Sequence, residues 1–236
     1  MGVPAIALVV PVLDEARLVP ELSAELRRLA VRLEVVVVDG GSRDGSAERL
    51  RELGGGAYRV LDAPRGRASQ MNAGAAATRA PILLFLHADT RLPDGAPEAI
   101  ERVIDGGGEG GAIGGCFRLR IASSDPRLRL AARLINLRSR LLPSASGDQA
   151  IFVARDAFER LGGFRELPLC EDLDLVGRLG ALGRFALLDA AVETSARRWE
   201  QGGVGRTIAL MWALRLGFHL GVDPRALGRL YRHHPR

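Results

Sequence analysis

A run of four valines that ends on an aspartate and two glycines is the feature that most constrains how this sequence folds. The segment VVVVDGGSRDGS extends from Val35 to Ser46. A short β-branched run bounded by glycines is typical of a strand buried on both faces, as in a parallel sheet. Because open α/β sheets bind ligands beyond the carboxyl ends of their strands, Asp39 is predicted to lie at a ligand-binding edge.

Further strand-like runs accompany the valines, and helix-like segments separate them. The predicted strands of the first half cover residues 5–10, 34–38, 58–61 and 82–86, and the predicted helices cover 17–30, 46–53 and 68–79. Beyond residue 110 we expect a strand at 111–121, a helix at 125–142, a short strand near 185–188 and a helical C-terminal end. This alternation predicts an α/β fold with a mostly parallel, Rossmann-like central sheet flanked by helices.

The composition fits one globular domain with a basic surface. The chain has 236 residues, of which 47% are hydrophobic, and we expect one buried core without a linker. The formal net charge of +5 favours an anionic partner such as a nucleotide, a lipid headgroup or a nucleic acid. The sequence contains no lysine, which excludes Schiff-base chemistry and a Walker-type phosphate loop.

The cysteines and the apolar segments predict a cytoplasmic protein. Cys116 and Cys170 lack the paired spacing of a zinc or redox site, so we expect two buried thiols in a reducing compartment. The N-terminal apolar stretch has no basic region before it and is predicted to be a strand, not a signal peptide. The apolar segment at 204–222 contains Arg206 and Arg215, and is predicted to be a helix that does not span a membrane.

Carboxylates follow three of the predicted strands. They are Asp14 and Glu15 after the first strand, Asp39 and Asp44 after the second, and Asp89 after the fourth. In a parallel sheet these strand ends meet at one edge, where gathered carboxylates repel one another unless a cation compensates them. A hard divalent cation shared with phosphate oxygens would do so. For Asp14 and Asp44, a role in a turn or a helix cap is the alternative.

Six short segments occur in a fixed order along the chain: PVLDE, VVDGGSRDG, RGRASQMNAGA, FLHADT, GGF and CEDLDLVGRL. Together, over residues 6–185, they resemble the family 2 glycosyltransferases of the GT-A fold, and in particular a small bacterial subgroup with a His-Ala-Asp-Thr turn. The resemblance implies one domain with a nucleotide-binding half (1–105), an acceptor and catalytic half (106–200) and a helical C-terminal extension (201–236). It also implies inverting sugar transfer from a UDP- or GDP-linked donor, with Mg²⁺ or Mn²⁺ as cofactor.

The resemblance assigns donor-binding roles in the first half. Asp89 would hold the metal on the donor diphosphate, and Asp39 would contact the nucleoside. Pro11 and Glu15 resemble the first nucleotide turn of the family. His87 stands where the family usually has an aspartate that faces the ribose, so a ribose contact, a second metal ligand and a structural role are all open.

A departure from the family pattern and a turn before the third helix both bear on the donor. Many relatives carry a second aspartate after the position of Asp39, whereas this chain has Gly40, which leaves uridine and guanosine open as the base. Arg65 and Gly66 precede the helix before the fourth strand, where they would approach the phosphates or simply form the turn that starts the helix.

In the second half, the resemblance assigns Asp172 as the base that takes the proton of the acceptor hydroxyl. Glu171 lies beside it, either orienting its neighbour or, as the alternative, compensating the helix dipole. A base on the face opposite the leaving diphosphate is what in-line attack requires. Asp148, in the turn SGDQ, is expected to bind donor or acceptor hydroxyls.

The segment SARRW, at 195–199, resembles a Gln-x-x-Arg-Trp element of some relatives, with serine in place of glutamine. Arg198 would bind the diphosphate as a fork, and Trp199 would stack on a sugar. The missing glutamine and the absence of predicted membrane spans favour transfer of a single sugar over synthesis of a polymer.

Other functions fit the sequence less well. A dehydrogenase would need a glycine-rich turn after the first strand, and a sugar-nucleotide nucleotidyltransferase would need a loop rich in glycine and lysine. A catalytically silent basic module at a membrane surface, or one that binds nucleotide, is the remaining alternative. It is supported by a helix at 125–142 that carries Arg129, Arg133 and Arg140 beside a row of leucines.

The same helix leads to the predictions about partners. The absence of interleaved aromatic residues argues against nucleic acid. We therefore expect a nucleoside-diphosphate sugar and either a small-molecule or a lipid-linked acceptor. The location would be the cytoplasm, with peripheral contact at the inner face of the membrane if the acceptor is lipid-linked.

Overall fold

The structure is a computed structural model that describes residues 4–106 and 110–232. Residues 1–3, 107–109 and 233–236, which include both ends of the expected domain, lie outside the described residues. The first half alternates strands and helices as predicted. Its elements are β1 (Ile6–Val12), α1 (Val19–Leu29), β2 (Glu34–Asp39), α2 (Ser46–Gly54), β3 (Arg59–Asp62), α3 (Arg67–Ala76) and β4 (Ile82–Phe85).

The second half contains the two longest of the described strands and most of the described helices. Its elements are β5 (Thr90–Arg91), α4 (Ala96–Asp105), β6 (Gly114–Ala122), α5 (Pro126–Leu141), a 3₁₀ turn (Gly147–Gln149), β7 (Ile151–Ala154), α6 (Arg155–Arg160), α7 (Glu171–Leu182), β8 (Phe185–Ser195), α8 (Arg197–Gln201), α9 (Val204–His219) and α10 (Pro224–Arg232). The C-terminal end is helical as expected.

The strands form one eight-stranded sheet in the order β3-β2-β1-β4-β7-β6-β8-β5. β3, β2, β1 and β4 are parallel, β7 is antiparallel to both β4 and β6, and β6 is parallel to β8. The predicted α/β fold with a mostly parallel sheet is therefore confirmed. The antiparallel β7 joins the predicted nucleotide-binding strands to the second half.

The prediction of a short strand near 185–188 was wrong about its length. β8 continues to Ser195 because it pairs with β6 along most of its course and with β5 at its end, where Thr90 lies opposite Thr194. Its second part alternates buried and exposed residues without a continuous apolar run. Tertiary pairing, which the local sequence does not show, decides its length.

The valine run forms an interior strand that is covered on both faces. β2 lies between β1 and β3, and its four valines are buried. Because successive side chains of a strand point to opposite faces, Val35 and Val37 pack into the core on one face and Val36 and Val38 into the core on the other. α1, α2 and α4 cover the first face, and α3, α6 and α7 cover the second.

α3 packs closely on β1 through a glycine. A Cβ atom added to Gly74 would lie 2.3 Å from Val9 Cγ1 and 3.0 Å from Val38 Cγ2. Gly177, in α7, is exposed and has no such neighbour within 4 Å. Alanine substitutions at these two helical glycines can therefore be compared. Both change the backbone entropy, but only the one at Gly74 changes the packing.

We predict that Gly74→Ala destabilises the protein by about 1–3 kcal/mol, because the added methyl group forces α3 away from the sheet. Gly177→Ala should leave stability unchanged or raise it by up to about 1 kcal/mol, since alanine favours a helix. Urea unfolding of both variants measures the difference. Equal stability of the two variants would contradict the close contact between α3 and β1.

Candidate active site

The carboxyl ends of β1, β2 and β4 meet at one edge of the sheet, and hydrogen bonds join the loops that follow β1 and β2. Asp14 Oδ1 accepts the Arg43 N–H at 2.8 Å, and Asp44 Oδ2 accepts the Ala16 N–H at 2.8 Å. These bonds give Asp14 and Asp44 the turn role that was the alternative for them. The two loops thereby form one rigid wall of the edge.

Asp39 stands at the end of β2 and is 3% exposed. Its Oδ2 accepts the N–H groups of Gly41 and Ser42, both at 2.8 Å, and its Oδ1 accepts the Ser42 hydroxyl. The carboxylate thus closes the loop on itself. The nucleoside contact of Asp39 stays a prediction.

Gln70, which the sequence analysis did not single out, explains the glycine that follows Asp39. Its Nε2 donates to the carbonyl groups of Val12 and Val38, both at 2.8 Å, so it bridges the ends of β1 and β2. A Cβ atom on Gly40 would lie 2.9 Å from Gln70 Oε1. The side chain that many relatives carry at this position has no room here while Gln70 makes both bonds.

Pro11 and Glu15 lie at the carboxyl end of β1. Pro11 is half-buried and paired with Val38, and Glu15 Oε2 accepts from Arg197 Nη2 at 2.9 Å. This ion pair ties the β1 loop to α8, and Arg197 was not among the predicted residues. The nucleotide contacts of Pro11 and Glu15 stay predictions.

Asp89 lies in the short loop between β4 and β5. Its carbonyl group accepts the Ser195 N–H at 3.1 Å, which fixes the loop against β8. Burial raises the pKa of the Asp89 carboxyl, and the negative charges of Asp148 and Glu15 raise it further, while Arg198 opposes them. This surplus of negative charge is what a cation would relieve.

His87, in the same loop, is packed against the turn that carries Asp148. Its Nδ1 lies 3.8 Å from Asp148 Oδ1, and a Cβ atom on Gly147 would lie 2.2 Å from its Nε2. Burial lowers the pKa of His87 to about 3, and the nearby positive charges of Arg67 and Arg198 contribute to this shift while Asp148 opposes it. The imidazole is therefore neutral, with only a glycine small enough to face it.

Gln149 holds the turn SGDQ in place. It is fully buried, its Nε2 donates to Phe117 O at 3.2 Å and to Ser139 Oγ at 3.1 Å, and its Oε1 accepts the Ser146 N–H at 3.3 Å. The turn presents Asp148, whose side chain is 30% exposed. Sequence reasoning missed Gln149 because a buried glutamine is recognised by its partners, which come from β6 and α5.

Asp172 lies in the first turn of α7, as predicted, and its carboxylate is fixed by the backbone. Oδ2 accepts the Gly147 N–H at 2.8 Å, and Oδ1 accepts the Leu173 N–H at 2.7 Å. Burial raises the pKa of the Asp172 carboxyl, with a further contribution from Asp148, although both N–H groups act in the other direction. Gly147 thus contacts both His87 and Asp172.

Glu171 and Arg67 complete this group of charges. Glu171 is 5% exposed, and burial and then Asp172 raise the pKa of its carboxyl to about 7, while Arg67 opposes the shift. Burial disfavours the charged form of Arg67, but the negative charges of Glu171, Asp172 and Asp148 together with Tyr231 raise its pKa. Sequence reasoning proposed Arg65 instead, which is exposed and lines neither of the cavities described next.

Two cavities adjoin these residues. One of about 420 Å³ includes Asp89 and lies between α1, β5, β8 and α8. The other, of about 150 Å³, includes Asp148, Glu171 and Asp172. α8, which carries the SARRW segment, contributes Arg197 to the first cavity and Arg198 and Trp199 to the second. Asp89 and Asp172 therefore face neighbouring cavities.

The sequence is similar to a known protein family and to curated proteins. The family described as Glycosyl transferase family 2 matches residues 7–158, which include Asp39, Asp89 and Asp148 and end before Asp172. A curated relative, undecaprenyl-phosphate 4-deoxy-4-formamido-L-arabinose transferase of Pseudomonas paraeruginosa, is 34% identical over 141 residues, which are 56% of this chain and 40% of the relative. The chain thus spans less than half the length of that relative.

Solved structures of similar fold include two enzymes whose names describe sugar transfer or synthesis of a glucosyl compound. The mannosyltransferase PcManGT of Pyrobaculum calidifontis, in complex with GDP-Man and Mn²⁺, has a TM-score of 0.67 at 20% identity, over 100% of this chain and 66% of that one. The glucosyl-3-phosphoglycerate synthase of Mycobacterium tuberculosis, in complex with Mn²⁺, UDP and glucosyl-3-phosphoglycerate, has a TM-score of 0.50 at 20% identity, over 80% and 70%. With the family match over more than half of its length, the chain belongs to glycosyltransferase family 2 and has the GT-A fold.

Proposed function

We propose that this enzyme transfers one sugar, with inversion, from a nucleoside-diphosphate donor to an acceptor hydroxyl. The observation that supports this best is the convergence of Asp89, Asp148 and Asp172, from a loop, a 3₁₀ turn and the first turn of α7, on neighbouring cavities. Asp89 and Asp172 also differ in surroundings. The first lies near two acidic neighbours and one basic neighbour, whereas the second accepts hydrogen bonds from two backbone N–H groups.

A divalent cation fits the surroundings of Asp89. Its raised carboxyl pKa reflects burial and two acidic neighbours, so negative charge at this point lacks full compensation. Within residues 4–106 and 110–232, no group of three or more His, Cys, Asp or Glu side chains could hold a metal ion. Asp89 would therefore share Mg²⁺ or Mn²⁺ with oxygens of the donor diphosphate, where the ion would neutralise the leaving group.

Asp172 is the proposed base. The acceptor oxygen forms a bond to the anomeric carbon, the bond from that carbon to the diphosphate oxygen breaks, and the hydroxyl proton passes to the Asp172 carboxylate. Burial raises the pKa of the Asp172 carboxyl, which makes the carboxylate a stronger base. The Gly147 and Leu173 N–H groups fix its orientation. Glu171 adjusts the charge beside it, and a single displacement inverts the configuration.

The remaining donor contacts are assigned by position. Pro11, Glu15 and Asp39 would surround the nucleoside at the ends of β1 and β2, and Asp148 and His87 would face the sugar or the ribose. Arg198 would bind the diphosphate, because its charge acts on both Asp89 and His87. Trp199, the next residue, is 8% exposed and packs in the core, so it would stack on a sugar only through the part that lines the smaller cavity. The structural relatives were solved with GDP-Man and with UDP, so binding is to be tested with both GDP and UDP.

The acceptor is proposed to be lipid-linked, and a surface around the smaller cavity supports this. Ten apolar side chains that are at least 41% exposed lie on or directly after α5, α9 and α10: Leu130, Leu134, Leu137, Leu141, Leu142, Trp212, Leu216, Leu220, Val222 and Leu230. Arg129, Arg133 and Arg140 are exposed among them. We call these residues the apolar-basic surface. An apolar face flanked by arginines is suited to an anionic membrane surface.

The enzyme would contact such a membrane from one side. None of the described helices is long and apolar enough to cross a bilayer. The curated relative is named for transfer to undecaprenyl phosphate, a lipid acceptor. A peripheral contact through the apolar-basic surface would bring the smaller cavity to the membrane, since Trp212 belongs both to that surface and to the cavity lining.

We predict that Asp89→Asn weakens Mn²⁺-assisted binding of UDP or GDP by at least roughly tenfold, as removing a direct ligand costs no less than removing an outer-shell partner. Isothermal titration calorimetry with and without Mn²⁺ measures this. Asp189→Asn, at a carboxylate whose side chain is 92% exposed, is the matched control and should bind like the wild type. Equal metal-assisted binding by all three proteins would remove Asp89 from this role.

For the base, Asp172→Asn should lower turnover by about two to four orders of magnitude while UDP or GDP binding persists. Slow hydrolysis of the donor by water serves as the assay when no acceptor is at hand, and nuclear magnetic resonance follows the anomeric configuration. Glu171→Gln should cost less, and Asp174→Asn, in the same turn of α7, serves as the control. Near-normal turnover of Asp172→Asn, or retention of configuration, would transfer the role to Asp148 or Asp174.

For the membrane contact, the protein should co-sediment with anionic vesicles at low salt and be released as salt rises, because the Debye length falls from about 10 Å at 0.1 M to about 3 Å at 1 M. The double variant Leu216→Glu, Leu220→Glu should reduce binding at least roughly tenfold. Val31→Glu, at an apolar residue that is 82% exposed outside this surface, is the control. Indifference of the wild type to anionic vesicles would favour a soluble acceptor.

A further inference from the structure

Two arginines in the smaller cavity lack the partners that buried charges normally have. Arg138, on α5, and Arg215, on α9, are half-buried, and both line this cavity. The Nε atom of each is buried without a hydrogen-bond partner. Arg138 Nη2 lies 3.5 Å from Gln149 Oε1, and Arg215 Nη2 donates to Ser144 Oγ. Among the described residues, no carboxylate forms a salt bridge with either.

The electrostatics of the pair are unfavourable as they stand. Burial lowers the pKa of Arg138 to about 10, and the charge of Arg215 lowers it further. Burial likewise lowers the pKa of Arg215, although Asp172 and Asp148 oppose the shift. A guanidinium removed from water needs an ion pair and hydrogen bonds to offset its lost hydration. Two such groups that face one cavity therefore favour an anion between them.

Arg198, the arginine assigned to the donor, lines the same cavity but has different charged neighbours. Its charge acts on Asp89 and on His87, which places it towards the metal and the diphosphate. The main carboxylates that act on Arg215 are Asp172 and Asp148. Arg138 and Arg215 thus lie on the side of the proposed base, where the acceptor binds.

We propose that the acceptor carries a phosphomonoester in addition to the hydroxyl that attacks, and that Arg138 and Arg215 bind this phosphate beside Asp172. This inference rests on the proposed function, because it names the chemical class of the acceptor for the same site. A phosphomonoester carries up to two negative charges on a tetrahedral group, which matches two guanidinium forks. A single carboxylate would satisfy one fork and leave the second charge unpaired.

The cavity has the size and lining for such a group. Its volume of about 150 Å³ is several times the ~30 Å³ share of a water molecule in the liquid. Ile135, Met211 and Trp212 form an apolar part of the lining next to the arginines. Because Trp212 continues into the apolar-basic surface, the phosphate could belong to a lipid headgroup or to a soluble compound, and the shared feature is the phosphomonoester.

The test compares Arg138→Gln and Arg215→Gln with the controls Arg127→Gln and Arg206→Gln, which change exposed arginines on the same two helices outside the apolar-basic surface. Calorimetry with glycerol 3-phosphate and, separately, with dodecyl phosphate in neutral detergent measures binding without donor or metal. Each cavity variant should bind at least one of these probes roughly tenfold to a hundredfold more weakly than the wild type, and the controls should not. Preference for dodecyl phosphate identifies a lipid source, and preference for glycerol 3-phosphate a soluble one.

Binding of UDP or GDP with Mn²⁺, measured on the same variants, keeps this inference apart from the proposed function. Retained nucleotide binding with lost phosphomonoester binding supports the inference. If the wild type binds neither UDP nor GDP in the presence of Mn²⁺, the proposed function is overturned instead. Wild-type affinity for both probes no higher than for glycerol and dodecanol, or equal affinity in all variants, overturns the inference.

A second measurement needs no variant and covers the case in which the cavity variants fail to fold. Crystals of the wild type soaked with tungstate, a tetrahedral dianion, should show anomalous density between Arg138 and Arg215. Density elsewhere only, or no density at concentrations that saturate binding in solution, would overturn the inference.

Discussion

The hydrogen bond from the Gly147 N–H to Asp172 Oδ2 is the interaction on which the arrangement of the site depends. It joins the turn before β7 to the first turn of α7, and the same glycine packs against His87 from the loop after β4. Three elements distant in sequence thus meet at one residue without a side chain. Because a Cβ atom there would collide with the imidazole, any larger residue would require His87 or the turn to shift.

Uneven charge distinguishes the two sides of this junction. Around Asp89, carboxylates exceed the nearby positive charge, which suits a cation and a diphosphate that share it. Around Asp172, two half-buried arginines lack salt-bridge partners within the described residues, which suits an anionic acceptor. A transferase that joins a donor to an acceptor across one cleft needs two such different environments, and α8 contributes side chains to both cavities.

The local sequence determined those strands and helices that follow from the spacing of apolar residues over a few positions. The valine run and its glycines specified a buried strand with a carboxylate at its end, and the alternation of elements specified the parallel half of the sheet. The first turn of α7 was predictable because its apolar spacing begins directly after Glu171 and Asp172. Strand ends in a parallel sheet share one edge, so the acids at β1, β2 and β4 could also be grouped.

Tertiary structure alone decided which residues act on one another. Gln70, Gln149 and Arg67 have no local signature, since their roles come from strand ends, carbonyl groups and carboxylates on other elements. The full length of β8 depends on its pairing with β6 and β5. Arg138 and Arg215 line the same cavity only because α5 packs beside α9. A sequence fixes residue types and periodicity, but desolvation and charge coupling arise only when distant segments share a low-dielectric interior.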